Sequence, residues 1–197
     1  MQNIVNSLMN ESRNIELLSL LQQHEDVSYI HSISVARMAE YLLSFFEFKE
    51  IKDKKEIIEG ALLHDIGKIF VSAEILTKSD KLTEIEQTVV HEHPRCGGIL
   101  VHDRSEVIQN IVRYHHEYLD GSGYPYGLTA ESIPDYCRFI TAIDVIEAML
   151  GERPYKPAYT FTRTYDSIKD MNNGHNMDMY YFTKVFKYIK AGGNFIC

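Results

Sequence analysis

Three cysteines in 197 residues, Cys96, Cys137 and Cys197, are too scattered and odd in number for a disulfide framework or a zinc ribbon. Any metal bound here must therefore be held by imidazole and carboxylate. No apolar run approaches the ~20 residues that cross a bilayer. The opening Met-Gln-Asn-Ile-Val-Asn-Ser also lacks the basic start and continuous apolar stretch of a signal peptide. These absences predict a cytoplasmic protein without a membrane partner. Surplus positive charge is missing as well: a formal charge of −8 argues against broad DNA or RNA binding. It leaves room for a small phosphate substrate, since bound cations and a few local basic groups can reverse the sign inside a cleft. A hydrophobic content of 45% over this length suits one domain with a substantial core.

Helical periodicity fills the chain, and no convincing strand pair stands out. Val35, Met38, Ala39, Leu42, Leu43 and Phe46 form an apolar stripe, with His31 four residues before Val35 on the same side. Ile57, Ile58, Ala61 and Leu62 lead a second helix into His64 and Asp65, where Gly67 is expected to break it. Residues 71–82 read as an ordered loop with one short turn. Thr83 followed by Glu86 is a capping-box pattern that opens a helix carrying Val89, Val90 and His93, with Pro94 at a boundary. Ile108, Ile111 and Val112 place His115 on a core face. Residues 120–128, rich in Gly, Ser and Pro, form a loop. After Pro134 an apolar helix runs to about Leu150, with Ile140, Asp144 and Glu147 on one face. Further helices are expected over Thr162 to Met171 and Asp178 to Lys190. The economical fold is all-α: one helical bundle over 27–197 with a metal site in its core, preceded by a helical extension over 1–26.

His31, the pair His64–Asp65, His93, the pair His115–His116 and Asp144 come from different helices or helix ends, which is what a metal site in a bundle core requires. Seven such groups without a thiolate exceed one tetrahedral zinc. They suit two divalent ions in larger shells, iron or manganese foremost and magnesium or nickel as alternatives, with Asp65 as the natural bridge. Two such ions can hold a bridging hydroxide and stabilise the entering and leaving oxygens of a phosphoryl group. The implied chemistry is phosphoester hydrolysis.

The same residues, in the same order, resemble the HD-domain phosphohydrolases. The run His115-His116-Glu117-Tyr118-Leu119-Asp120-Gly121-Ser122-Gly123-Tyr124-Pro125 is similar to the defining motif of the HD-GYP group, whose members hydrolyse cyclic di-GMP. Lys78 with Lys81-Leu82-Thr83, His93-Pro94 with Gly97 or Gly98, Ile133-Pro134, and Arg153-Pro154-Tyr155-Lys156 extend the likeness from about residue 31 to 186. The resemblance implies that His31, His64, Asp65, His93, His115, His116 and Asp144 are metal ligands and that Lys68 touches the scissile phosphate. It also implies Tyr124 against a guanine or ribose-phosphate, and Arg153 and Lys156 on remaining phosphate oxygens or a base. The implied product is linear pGpG and then GMP, from cyclic di-GMP or a related cyclic dinucleotide such as 3′,3′-cyclic GMP-AMP.

The chain departs from the group in places. Some members carry a Glu four residues before the first histidine, where it helps hold a third metal; here that residue is Val27, which predicts two metals and slower conversion of pGpG to GMP. The usual Asp-Ala-Leu after the last ligand is Glu147-Ala148-Met149, and Ala130 replaces a common glycine. His24, His91, His102 and His175 match no motif and are expected at the surface or behind the ligands. His91 and His93, two residues apart on a helix, point in different directions, so only one of them can face a metal. Two other readings stand beside this one: a binding module that turns over slowly and reports nucleotide to a protein partner, and an HD hydrolase of another nucleotide or phosphoester. Control is expected from a partner protein, from metal supply or oxidation state, or not at all, and a homodimer is a further expected assembly.

Overall fold

The computed structural model describes residues 3–49, 51, 53–152, 158–172 and 176–192. Among them are eleven α-helices: α1 (Ile4–Met9), α2 (Ser12–His24), α3 (Asp26–Leu42), α4 (Lys54–Leu63), α5 (Ala73–Leu76), α6 (Glu84–His91), α7 (His93–Leu100), α8 (Glu106–Tyr114), α9 (Asp135–Leu150), α10 (Phe161–Met171) and α11 (Met179–Gly192). Two 3₁₀ turns, Ile66–Phe70 and Ala130–Ser132, complete the regular structure. Among the described residues the sole β pairing is an isolated bridge between Asp120 and Thr129. None of these helices is long and apolar enough to cross a membrane.

Local chemistry sets the helix ends. The Glu25 carboxylate accepts from the amides of Val27 (2.6 Å) and Ser28 (2.7 Å), satisfying two donors that the first turn of α3 leaves open. Asp53 does the same for Lys55 at the start of α4. Thr83 and Glu86 close a reciprocal capping box on α6, and Lys78 reaches both Glu86 oxygens at 2.8 Å. Beyond that box Glu92 interrupts the helix, and Pro94 sits in the first turn of α7, where its missing N–H costs nothing.

The core forms where α3, α4, α8 and α9 meet. Val35, Ala39 and Leu42 from α3, Ile57, Ala61 and Leu62 from α4, Ile111 and Val112 from α8, and Phe139, Ile140 and Ile143 from α9 are fully buried. Val5, Leu8, Leu18 and Leu21 of α1 and α2 join the same cluster. A buried polar knot ties them down: Arg104 donates to Glu59 and to Asn14 at 2.8 Å each, and Asn14 donates to the Leu8 carbonyl.

The expectation at Gly67 is corrected. The α-helix already ends at Leu63, and Gly67 lies inside the 3₁₀ turn that follows. Its requirement is proximity: a Cβ there would stand 1.9 Å from the His93 carbonyl oxygen and 2.5 Å from the Gly97 nitrogen. Glycine thus lets the turn carrying Asp65 and Lys68 lie directly on the first turn of α7, which carries His93.

Candidate metal centre

All seven sequence-selected imidazole and carboxylate groups converge in the core. His31 projects from the middle of α3, His64 caps α4, and Asp65 opens the 3₁₀ turn. His93 begins α7, His115 caps α8 with His116 next to it, and Asp144 lies on α9. Their donor atoms fall into two groups: His31, His64 and Asp144; and Asp65, His93, His115 and His116. Within each group the atoms lie within 4.8 Å of one another. The groups touch through Asp65. Its Oδ2 is 3.4 Å from His64 Nε2 and 3.9 Å from His31 Nε2, whereas its Oδ1 is 3.2 Å from His93 Nε2 and 3.9 Å from His115 Nε2.

The backbone decides which nitrogen of each ring faces inward. His64 Nδ1 lies 2.8 Å from the Ala61 carbonyl and His93 Nδ1 lies 2.8 Å from the Val90 carbonyl. His115 Nδ1 lies 3.1 Å from both the Ile111 and Val112 carbonyls. A carbonyl can only accept, so each Nδ1 carries the proton and each Nε2 presents a lone pair to the centre. Each of the three donates back three residues into the last turn of a helix: His64 and His115 at the ends of α4 and α8, and His93, which opens α7, into α6. His31 differs. Its Nε2 meets Asp144 Oδ1 at 2.8 Å and its Nδ1 meets Glu147 Oε2, so carboxylates fix it on both sides. The Glu147 substitution noted in the sequence thus supplies the orienting partner of His31.

Charge follows from burial and neighbours. Burial, reinforced by the surrounding histidines His116, His64 and His93, holds the His115 imidazole neutral well below its usual range. Burial and His93 depress His116 to about 3. Burial also opposes protonation of His31, but the hydrogen bonds it donates to Asp144 and Glu147 outweigh it and raise its pKa to about 9. Asp65 is driven well below the carboxylate range: burial acts against ionisation, and Lys68 and His64 overcome it. Asp144 is lowered likewise, by His31 against the effect of burial.

The donor set fits divalent cations. His64 Nε2 and Asp65 Oδ1 are fully buried yet have no hydrogen-bond partner, a state that costs about 1–3 kcal/mol per group unless something binds there. His93 Nε2 and His115 Nε2 face each other at 3.3 Å with their protons committed elsewhere. Two lone pairs at that distance repel unless a cation lies between or beside them.

Lys68, one turn past Asp65, places Nζ 2.6 Å from Asp65 Oδ2 with its side chain 18% exposed, so a cation stands where the centre meets solvent. The glycine-rich loop covers another side. Glu117, buried, accepts from the amides of Tyr126 (2.7 Å) and Leu128 (2.9 Å) and pulls the loop closed. Tyr124 N donates to the His116 carbonyl at 3.1 Å. A Cβ at Gly123 would lie 2.4 Å from the Tyr118 nitrogen, so only glycine permits this fold-back.

Tyr124, expected against a guanine or ribose-phosphate, packs against two histidines. Its ring lies near-parallel to His116 (centroids 4.7 Å apart, 28°) and to His91 (3.8 Å, 11°). The two histidines make no ring contact with each other among the described residues, so they occupy opposite faces of the tyrosine. Imidazole thus covers both faces of the tyrosine ring. Glu117 and His91 were not selected from sequence; Glu117 lies inside the quoted motif, whereas no local pattern marks His91. Arg153 and Lys156, the remaining candidates for substrate contact, lie outside the described residues, as does His175.

A family model described as HD domain matches residues 12–180. The chain is 33% identical over 183 residues to cyclic di-GMP phosphodiesterase PA4108 of Pseudomonas aeruginosa, covering 90% of this chain and 42% of that protein. It is 45% identical over 114 residues to the cyclic di-GMP phosphodiesterase response regulator RpfG of Xanthomonas campestris pv. campestris, covering 55% of this chain and 30% of the relative. It thus spans less than half the length of these relatives. Bd1817, an HDG"Y"P protein of Bdellovibrio bacteriovorus, superposes with a TM-score of 0.64 at 18% identity, over 94% of this chain and 60% of that one. The HD domain of the L. monocytogenes phosphodiesterase PgpH, solved with cyclic-di-AMP, gives 0.58 at 16% identity, over 87% and 92%. Matched along most of its length by the family model and folded as these solved domains are, the chain belongs to the HD-domain family.

Proposed function

We propose that this chain hydrolyses a cyclic dinucleotide, cyclic di-GMP foremost, to linear pGpG, using two divalent cations. His31, His64 and Asp144 would hold one, His93, His115 and His116 the other, and Asp65 both. The observation that carries this reading is Asp65 itself: a fully buried carboxylate whose two oxygens address two different sets of imidazoles, one of them without any hydrogen-bond partner. When bound, such a pair of cations supplies positive charge for the phosphodiester oxygens and a nucleophilic water at neutral pH. Iron or manganese suits a shell of imidazole and carboxylate with no thiolate.

The protein's own groups divide the remaining work. Four backbone carbonyls fix the tautomers of His64, His93 and His115, so no reorganisation is needed when a cation arrives. Lys68 holds the Asp65 carboxylate in place and brings a positive charge to the mouth, where a phosphate oxygen would be met. Tyr124, pinned between two imidazoles, offers its hydroxyl edge; burial pushes that phenol far above its usual range, so it stays protonated and can donate. Arg153 and Lys156 are retained as candidate phosphate or base contacts. Val27 offers no ligand where some members carry a Glu, and the neighbouring Glu25 is occupied in capping α3, which supports two cations rather than three.

The test is chromatography of nucleotide products after incubating protein, prepared without oxygen and loaded with Fe(II) or Mn(II), with cyclic di-GMP. Conversion to pGpG is expected. Intact cyclic di-GMP and 3′,3′-cyclic GMP-AMP after prolonged incubation would overturn the reading, and tight nucleotide binding without product would assign a signalling module instead.

A further inference from the structure

The aromatic column beside the centre has three rings and an open end. His116 belongs to the metal-ligand set, Tyr124 stacks on it, and His91, from the last turn of α6, stacks on Tyr124. The first two rings are mostly covered, whereas His91 is exposed. One face of its imidazole lies on Tyr124 at an 11° interplanar angle, and the residue as a whole is exposed. Among the described residues its ring nitrogens make no hydrogen bond, so the edge is free as well.

We infer that the outer face of His91 is a stacking platform for one purine base of the dinucleotide, the fourth member of a column that begins at the metal centre. The inference rests on the proposed cyclic-dinucleotide reading and identifies where that substrate's base sits. Three observations converge on it. Tyr124 has no free face, so a base arriving at this side of the centre meets His91 first. The column starts at His116, so it leads from the place where a phosphodiester would react toward solvent, the direction in which a nucleobase extends from its own phosphate. The platform is braced from both ends: α6 is anchored by the capping box and the Lys78–Glu86 pair, and the tyrosine beneath by the Glu117-clamped loop. Stacking of this kind reads a flat π surface rather than a hydrogen-bond pattern, so it accepts guanine and adenine alike. The His91 subsite therefore favours purine cyclic dinucleotides as a class, and choice among them falls to other residues.

Two measurements test this. The chain contains no tryptophan, so His91→Trp introduces a single indole at the platform. Its fluorescence should be quenched saturably by cyclic di-GMP and left unchanged by ribose 5-phosphate, which has no base. In steady-state assays with cyclic di-GMP, His91→Ala should raise KM about tenfold with kcat changed less than twofold, and His91→Phe should restore KM. Wild-type metal content in all three variants would exclude an indirect effect on the centre. Unquenched indole fluorescence while cyclic di-GMP is still hydrolysed would overturn the His91 inference and leave the proposed function standing. A fall in kcat or metal content of His91→Ala at unchanged KM would also overturn it, by assigning His91 a purely structural role. A wild-type protein inert toward cyclic dinucleotides would remove the functional reading first, and this inference with it.

Discussion

Replacing Gly67 by alanine adds one carbon where the structure has no room for it. The new Cβ would stand 1.9 Å from the His93 carbonyl oxygen and 2.5 Å from Gly97 nitrogen, both backbone atoms that no rotamer change can move. Going from 1.9 Å to even a 3.0 Å contact requires the 3₁₀ turn and α7 to separate by about 1.1 Å. Asp65 rides on one side of that seam and His93 on the other, with 3.2 Å between their donor atoms. Overpacking of this kind costs about 1–3 kcal/mol. For a chain of this size that lowers Tm by ~2–12 °C, so the variant should still fold. A misplacement near 1 Å among reacting groups costs on the order of 100-fold in rate. Gly67→Ala should therefore melt as a folded protein with a modestly lowered Tm, bind less metal, and lose about two orders of magnitude in turnover of cyclic di-GMP. Differential scanning calorimetry, elemental analysis and a product assay on one preparation read all three. Unchanged metal content and turnover would refute the claim that this seam sets the Asp65–His93 geometry.

Other consequences follow from the loop, the α6 cap and the centre. Glu117→Gln replaces one carboxylate oxygen with an amide nitrogen facing a backbone N–H. The loop anchor should weaken by about 1–3 kcal/mol, read as faster proteolysis within residues 120–127 while the helical far-UV signal is kept. Glu86 has its folded pKa lowered from 4.5 to about 2, by Lys78 first and then by the Thr83 amide and hydroxyl. Its contribution is therefore present above pH 4.5 and is lost as pH falls from there through about 2. Amide exchange at the start of α6 should accelerate over that window and not above it, and Lys78→Met should abolish most of the dependence. Removing metal with a chelator should lower Tm, because a cation present at 100 times its Kd stabilises the folded state by about 2.7 kcal/mol, or ~5–11 °C here. Adding back Mn(II) should restore the Tm, and a melting curve indifferent to both steps would contradict the assignment.

Much of this was readable in the order of residues because helices translate spacing into direction. α9 occupies 135–150, the capping box at Thr83 and Glu86 forms as the pattern requires, and His31, Asp144 and His115 lie on the faces that period 3.6 gives them. What escaped involves contacts between segments distant in sequence. Gly67 looked like a helix breaker, since nothing local reveals that the α7 backbone will lie against it. Tyr124 lies between His91 and His116 only once residues 120–128 have closed back onto α6, which no local pattern encodes. Glu117 sits in plain view within the motif, but its clamp on Tyr126 and Leu128 exists only once the loop has turned back. The split of Asp65 between two imidazole groups likewise depends on segments distant in sequence meeting, which spacing along one helix does not encode.

Two cations sharing Asp65 are central to the proposed chemistry. Elemental analysis of metal per chain, on protein purified without oxygen, with the Asp65→Ala variant alongside, addresses that claim directly. Two equivalents in the wild type and marked loss from both sites in the variant are predicted. A single equivalent in the wild type, or two retained without Asp65, would contradict it.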